Sequence, residues 1–81
     1  MRASIPRRQA REIVAHAERV VRHYKSLDPL LDHPWESTEV PVDDFLELFN
    51  ENPRWKLEVS DGAFKVYVPN VYAYEHYEVV P

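Results

Sequence analysis

The dipeptide Asp61-Gly62 constrains this chain more than any other feature. It lies between two alternating runs, Trp55-Lys56-Leu57-Glu58-Val59-Ser60 and Ala63-Phe64-Lys65-Val66-Tyr67-Val68. A two-residue type I′ turn needs positive φ at both central positions, and Asp-Gly tolerates this well. The spacing predicts a hairpin with Val59 opposite Phe64, Leu57 opposite Val66 and Trp55 opposite Val68. These six residues share one face, while Glu58 meets Lys65 and Lys56 meets Tyr67 on the other. A slip of one residue would exchange the faces, so the pattern specifies the pairing.

Beyond Pro69-Asn70, the run Val71 to Val80 reads as a third strand, with Val68 opposite Val71. That register puts Ala73 on the apolar face. It puts Tyr72, Tyr74 and His76 on the opposite face, with Tyr67 and Lys65. Upstream, apolar residues recur at Ala10, Ile13, Val14, Ala17, Val20, Val21, Tyr24 and Leu27, at steps of three and one. This spacing predicts one long amphipathic helix, capped by Ser4, with Pro6 in its first turn and Asp28-Pro29 ending it. Residues 28–42 form a Pro-punctuated connection in which Leu30, Leu31 and Trp35 are expected to anchor to the core. Thr38 to Val42 reads as a short edge strand, because Pro41 forbids a central one. Asp43 then caps a short helix from Asp44 to Asn50, stopped by Asn52-Pro53.

The expected fold is α+β. A long N-terminal amphipathic helix and a short helix pack on one face of a three-stranded antiparallel meander. The short helix, then Asn52-Pro53-Arg54, then the Asp61-Gly62 hairpin, resembles the last helix and wing of winged-helix domains. That resemblance covers under half of the chain and supplies a degenerate winged helix as the alternative fold. It implies DNA binding or protein docking. A full winged helix has two helices before its wing where this chain has room for one, and the helix here is acidic. No functional residue carries over from it.

Eighty-one residues suit a single compact domain spanning 1–81, with a thin core. The absence of cysteine excludes a disulfide scaffold and fits a reducing, cytoplasmic setting. No apolar h-region follows Met1-Arg2, and no apolar run approaches membrane-spanning length, so no membrane association is expected.

Charge is divided along the chain. Residues 1–27 carry seven Lys/Arg against two acids, and residues 28–81 carry three against twelve, which together give the net charge of −4. On the expected helix, Arg8, Arg11, Arg19 and Arg22 lie opposite the apolar stripe and face outward, toward phosphates or an acidic protein surface. Tyr67, Tyr72 and Tyr74 gather on the uncovered side of the sheet, rimmed by Lys56, Lys65 and His76. Tyrosine there suits protein contact. The acids Asp28, Asp32, Glu36, Glu39, Asp43, Asp44, Glu47 and Glu51 also offer a mimic of a phosphate row. His16, His23, His33 and His76 show no metal-ligand spacing, and no cofactor is expected. No nucleophile-and-base pair or Gly-rich phosphate loop is present.

These features point to a small non-enzymatic protein-binding module. An inhibitor, an antitoxin or a phage-type anti-defence protein fits, acting by protein contact or acidic mimicry of nucleic acid. The expected partner is a larger protein or complex, with self-association into a homodimer as a further expectation. A nucleic-acid binder using the basic helix face is the alternative.

Overall fold

The computed structural model describes residues 2–81, with side chains from Ala3 onward; Met1 and the Arg2 side chain lie outside the described residues. Its centre is a six-stranded, wholly antiparallel sheet. The elements in chain order are β1 (Arg2–Ser4), α1 (Arg7–Ala15), β2 (Arg19–Ser26), β3 (Glu36–Val40), α2 (Val42–Glu51), β4 (Leu57–Ser60), β5 (Ala63–Tyr67) and β6 (Ala73–Val80). The strand order across the sheet is β1-β4-β5-β6-β2-β3. Both the three-stranded meander and the degenerate winged helix are therefore corrected. The hairpin is no peripheral wing, because β4 and β5 are flanked by β1 and β6 inside a larger sheet.

The long N-terminal helix is the main correction. Helix α1 ends at Ala15, and Ser4 belongs to β1 instead of capping it. The chain bends at His16–Glu18, where the Glu18 N–H bonds the Val80 carbonyl and starts the ladder to β6. From there Val20, Arg22 and Tyr24 lie on one face of β2, and Val21, His23 and Lys25 on the other. A helical stripe and a strand alternation coincide over this short stretch, because apolar residues at 20, 21 and 24 satisfy both periods. The strand prevails because distant partners complete it. Eight residues of β2 pair with β6 and five pair with β3, and β-branched Val20 and Val21 suit the pleat.

The hairpin forms in the register the sequence predicts, with Leu57 opposite Val66, Glu58 opposite Lys65 and Val59 opposite Phe64. Strand β4 begins only at Leu57, however, so the expected pairs Trp55–Val68 and Lys56–Tyr67 are not part of the ladder. Asp61 and Gly62 take φ of 53° and 78°. A Cβ at Gly62 would meet nothing within 4 Å, so any cost of replacing it is backbone strain. Gly62→Ala is expected to lower stability by about 1–2 kcal/mol, read as a reduced urea midpoint at unchanged slope. Strand β6 is shifted relative to expectation, since Tyr67 opposes His76 and the Val68 N–H bonds the Glu75 carbonyl. The connection at 68–72 is longer than a tight turn. The shift is four residues, an even number, so the face assignment of Ala73, Tyr74 and His76 survives it.

Both helices cover one face. The core joins Ala10 and Val14 of α1 and Phe45 and Phe49 of α2 to Val20, Leu57, Val66, Tyr77 and Val79 of the sheet. Phe45 touches three rings, with centroids 4.6 Å from Tyr77, 6.1 Å from Phe49 and 6.5 Å from Trp55. Helix α2 starts one residue before the expected Asp43 cap. Pro41 precedes it and its carbonyl accepts the Phe45 N–H at 3.0 Å, while Asp43 and Asp44 sit in the first turn, where acids favour the helix dipole. Strand β3 is an edge strand as expected, but it spans Glu36–Val40 rather than Thr38–Val42, because Pro41 ends it and Val42 already opens α2.

Candidate protein-docking face

Cross-strand partners share a face, so register alone assembles the open side of the sheet. One row there runs Glu58–Lys65–Glu78–Val21–Glu39 across β4, β5, β6, β2 and β3. The next runs Tyr67–His76–His23–Ser37, and Tyr74 opposes Lys25 one step further along. Charges alternate over Glu58, Lys65 and Glu78 in the first row, and three rings, Tyr67, His76 and His23, lie side by side in the second.

Trp35, just before β3, completes the aromatic set. Its ring lies nearly parallel to Tyr74 at 6.3 Å and edge-on to His76 at 5.8 Å. His76 also meets Tyr67 at 5.4 Å and stacks on His23 at 4.9 Å. His23 is held from both sides, with Nδ1 2.8 Å from Ser37 Oγ and Nε2 3.2 Å from Glu78 Oε1. A shallow depression of about 440 Å³ opens among Trp35, Tyr67, Tyr74 and His76. Burial, with the charges of His23 and Lys65, holds the His76 pKa below its ordinary value against the opposing pull of Glu78.

Two loops meet beside this face. The Leu27 N–H donates to the Tyr72 carbonyl at 2.9 Å and joins the 27–35 connection to the 68–72 connection. Each loop is tied down by its own polar groups. The Leu30 N–H bonds Asp28 Oδ1 and the Tyr72 N–H bonds Asn70 Oδ1, both at 2.9 Å. Lys25 Nζ donates to the His33 carbonyl at 2.5 Å and lies 3.7 Å from Asp32. Yet Leu30, Val71 and Tyr72 are 88%, 83% and 79% exposed, and Leu31 and Trp35 are also exposed. Leu30, Leu31 and Trp35 are therefore no core anchors. The core is already filled by Phe45, Phe49 and Tyr77 without them.

The predicted arginine row is broken. Arg8 and Arg11 are exposed on α1, while Arg19 and Arg22 lie on β2. Arg19 and Arg22 are three apart on a strand and so point to opposite faces. Arg22 folds onto its own sheet, where Nε donates to Glu75 Oε2 and the guanidinium covers the Tyr24 ring at 4.5 Å. Burial opposes the Arg22 charge, but the hydrogen bond and charge of Glu75 outweigh it and raise its pKa. Burial and the Glu75 charge likewise raise the Tyr77 pKa. Of the predicted tyrosines, Tyr67 and Tyr74 border the aromatic depression, and Tyr72 sits on the adjoining loop.

Trp35 and His23 were not legible as members of this face. Trp35 has a large apolar side chain in a Pro-rich connection, a pattern that reads as an anchor. His23 joins the face only once residues 19–26 become a strand. The acidic residues Glu36, Glu39, Asp43, Asp44, Glu47 and Glu51 line β3 and the outer side of α2, all exposed. Among the described residues no group of three or more His, Asp or Glu converges to hold a metal, and no helix is long and apolar enough to cross a membrane. No family model, curated protein or solved structure matches the chain.

Proposed function

We propose that this chain is a non-enzymatic protein-binding module, an inhibitor or adaptor in kind, that docks a larger protein through the open aromatic face and the apolar loop end beside it. One observation carries the reading: large apolar side chains stay in water although the loops bearing them are fastened by hydrogen bonds. Apolar surface held outward in this way marks an interaction site on a folded protein. Trp and Tyr supply stiff contact area with polar tips, which suits an interface centre. A phosphate-binding role is less well supported, because the four arginines expected in one row are divided between α1 and the two faces of β2, with Arg22 folded onto Glu75.

The test is a quantitative pull-down with the wild-type chain and a Trp35→Ala/Tyr74→Ala variant. Trp35 and Tyr74 are 51% and 57% exposed, so the variant should keep its melting temperature within a few degrees. Proteins recovered specifically by the wild type are expected to fall at least tenfold with the variant. Equal recovery by both chains would refute docking through this face.

A further inference from the structure

The aromatic face has two imidazoles stacked at its centre, at 4.9 Å and 30°. We propose that the His23–His76 pair is a proton-operated latch for this face. While the pair is uncharged, Trp35 stays seated on β6; protonation drives the rings apart and releases it. The inference rests on the docking reading for its use, but it is tested with no partner present.

The geometry supplies both latch and trigger. His76 lies among the rings of Tyr67, Trp35 and His23, so its position sets where Trp35 rests. The groups facing the pair come from every neighbouring element of the open side. Strand β2 offers Lys25, β3 offers Ser37 and Glu39, β5 offers Lys65 and Tyr67, and β6 itself offers Tyr74 and Glu78. Glu58 of β4 stands beyond Lys65, which it opposes. Among these, Glu78 lies against His23. His76 has no ion pair of its own among the described residues, and a proton there faces His23 and Lys65. Two like charges stacked face to face repel, and the contact that seats Trp35 is the one that opens.

The direction follows from the lowered His76 pKa. A histidine depressed in the folded state favours folding fully above its unfolded value, and that contribution is lost as pH falls through the folded value. The face is therefore closed at neutral pH and loosens in acid.

The experiment follows the histidine side chains and the Trp35 indole N–H of the full chain by NMR from pH 8 to pH 5. Trp35→Phe assigns the indole signal, and far-UV circular dichroism reports the fold. The Trp35 signal is expected to move in step with His76, with a midpoint below the ordinary histidine value and the secondary structure intact. His76→Gln should abolish the movement. Lys65→Gln, which removes one facing cation, should shift the midpoint upward. The melting temperature of the wild type should fall more between pH 7 and pH 5 than that of His76→Gln. A Trp35 signal that stays still while His76 titrates would overturn the latch, as would movement that persists in His76→Gln. Either result leaves the pull-down outcome untouched, so failure of the latch is distinct from failure of the docking reading.

Discussion

Phe45→Ala is expected to leave little folded protein at 37 °C. Phe45 is fully buried and lies between α2 and the sheet, in contact with Phe49, Trp55 and Tyr77. Truncating a buried phenylalanine costs about 3–5 kcal/mol, because transfer energy and a residual cavity add together. A chain of 81 residues has roughly 4–12 kcal/mol to lose. Tyr77 is held in β6 and Phe49 in α2, and Trp55 is fixed in the connection between α2 and β4 by its N–H bond to the Asn52 carbonyl, so the three rings cannot collapse far into the space. Thermal melts followed by circular dichroism should show the transition lowered by roughly 15 °C or more, or missing altogether. Phe45→Leu, which keeps most of the volume, should retain a cooperative transition. A melting temperature within about 3 °C of wild type for Phe45→Ala would show that the core is organised around some other residue.

The second large effect belongs to Arg7. This residue starts α1, yet its side chain crosses to the end of α2. Nη1 donates to the Trp55 carbonyl at 2.7 Å, Nη2 donates to the Phe49 carbonyl, and the guanidinium lies 4.1 Å from the Phe49 ring centroid. The Phe49 carbonyl belongs to the last turn of α2, where it accepts only the long Asn52 N–H bond at 3.3 Å from the backbone and the dipole favours a cation. Arg7→Ala removes two charge-assisted hydrogen bonds and the ring contact together. The expected loss is about 2–3 kcal/mol, a drop of roughly 10–20 °C in melting temperature. Arg7→Lys should recover less than half of this. A single ammonium cannot reach both carbonyls and cover the ring in one geometry. Recovery to wild-type stability by Lys would show that charge alone, without the planar fork, joins the two helices.

These two residues also show how far the sequence can be read. Phe45 was legible as an inward residue of a short helix, because Phe45, Leu46, Leu48 and Phe49 follow a local helical spacing. Arg7 read only as one of several N-terminal basic residues, since its partners are 42 and 48 positions away. The same divide runs through the whole fold. The turn and register of the Asp61-Gly62 hairpin were legible, because turn chemistry and alternation act locally, although its expected outer pairs at Trp55 and Lys56 do not join the ladder. Strand β2 was not legible, because its identity depends on pairing with β6, whose partner residues lie 47 to 61 positions later. Local spacing at Ala10–Val14 and at Val20–Tyr24 looks alike, and only the distant ladder distinguishes helix from strand. The docking face divides in the same way. Tyr67, Tyr74 and His76 were placed on one side by strand parity, which a four-residue shift leaves intact. Trp35 and His23 join them only through the β2–β3 pairing and the β2–β6 pairing. The arginine row failed for the same reason, since it required a helix through residues that form a strand.

The position of β6 has a consequence for how the chain is made. It is the last of these elements to leave the ribosome, yet it lies between β5 and β2 and joins the two halves of the sheet. Until it emerges, the β2–β3 ribbon and the β4–β5 hairpin are separate pieces, each with an unsatisfied ladder along one side. Closure of the sheet must wait until residues 73–80 have emerged, and nascent chains stalled before residue 73 would depend on chaperones to keep those bare edges apart.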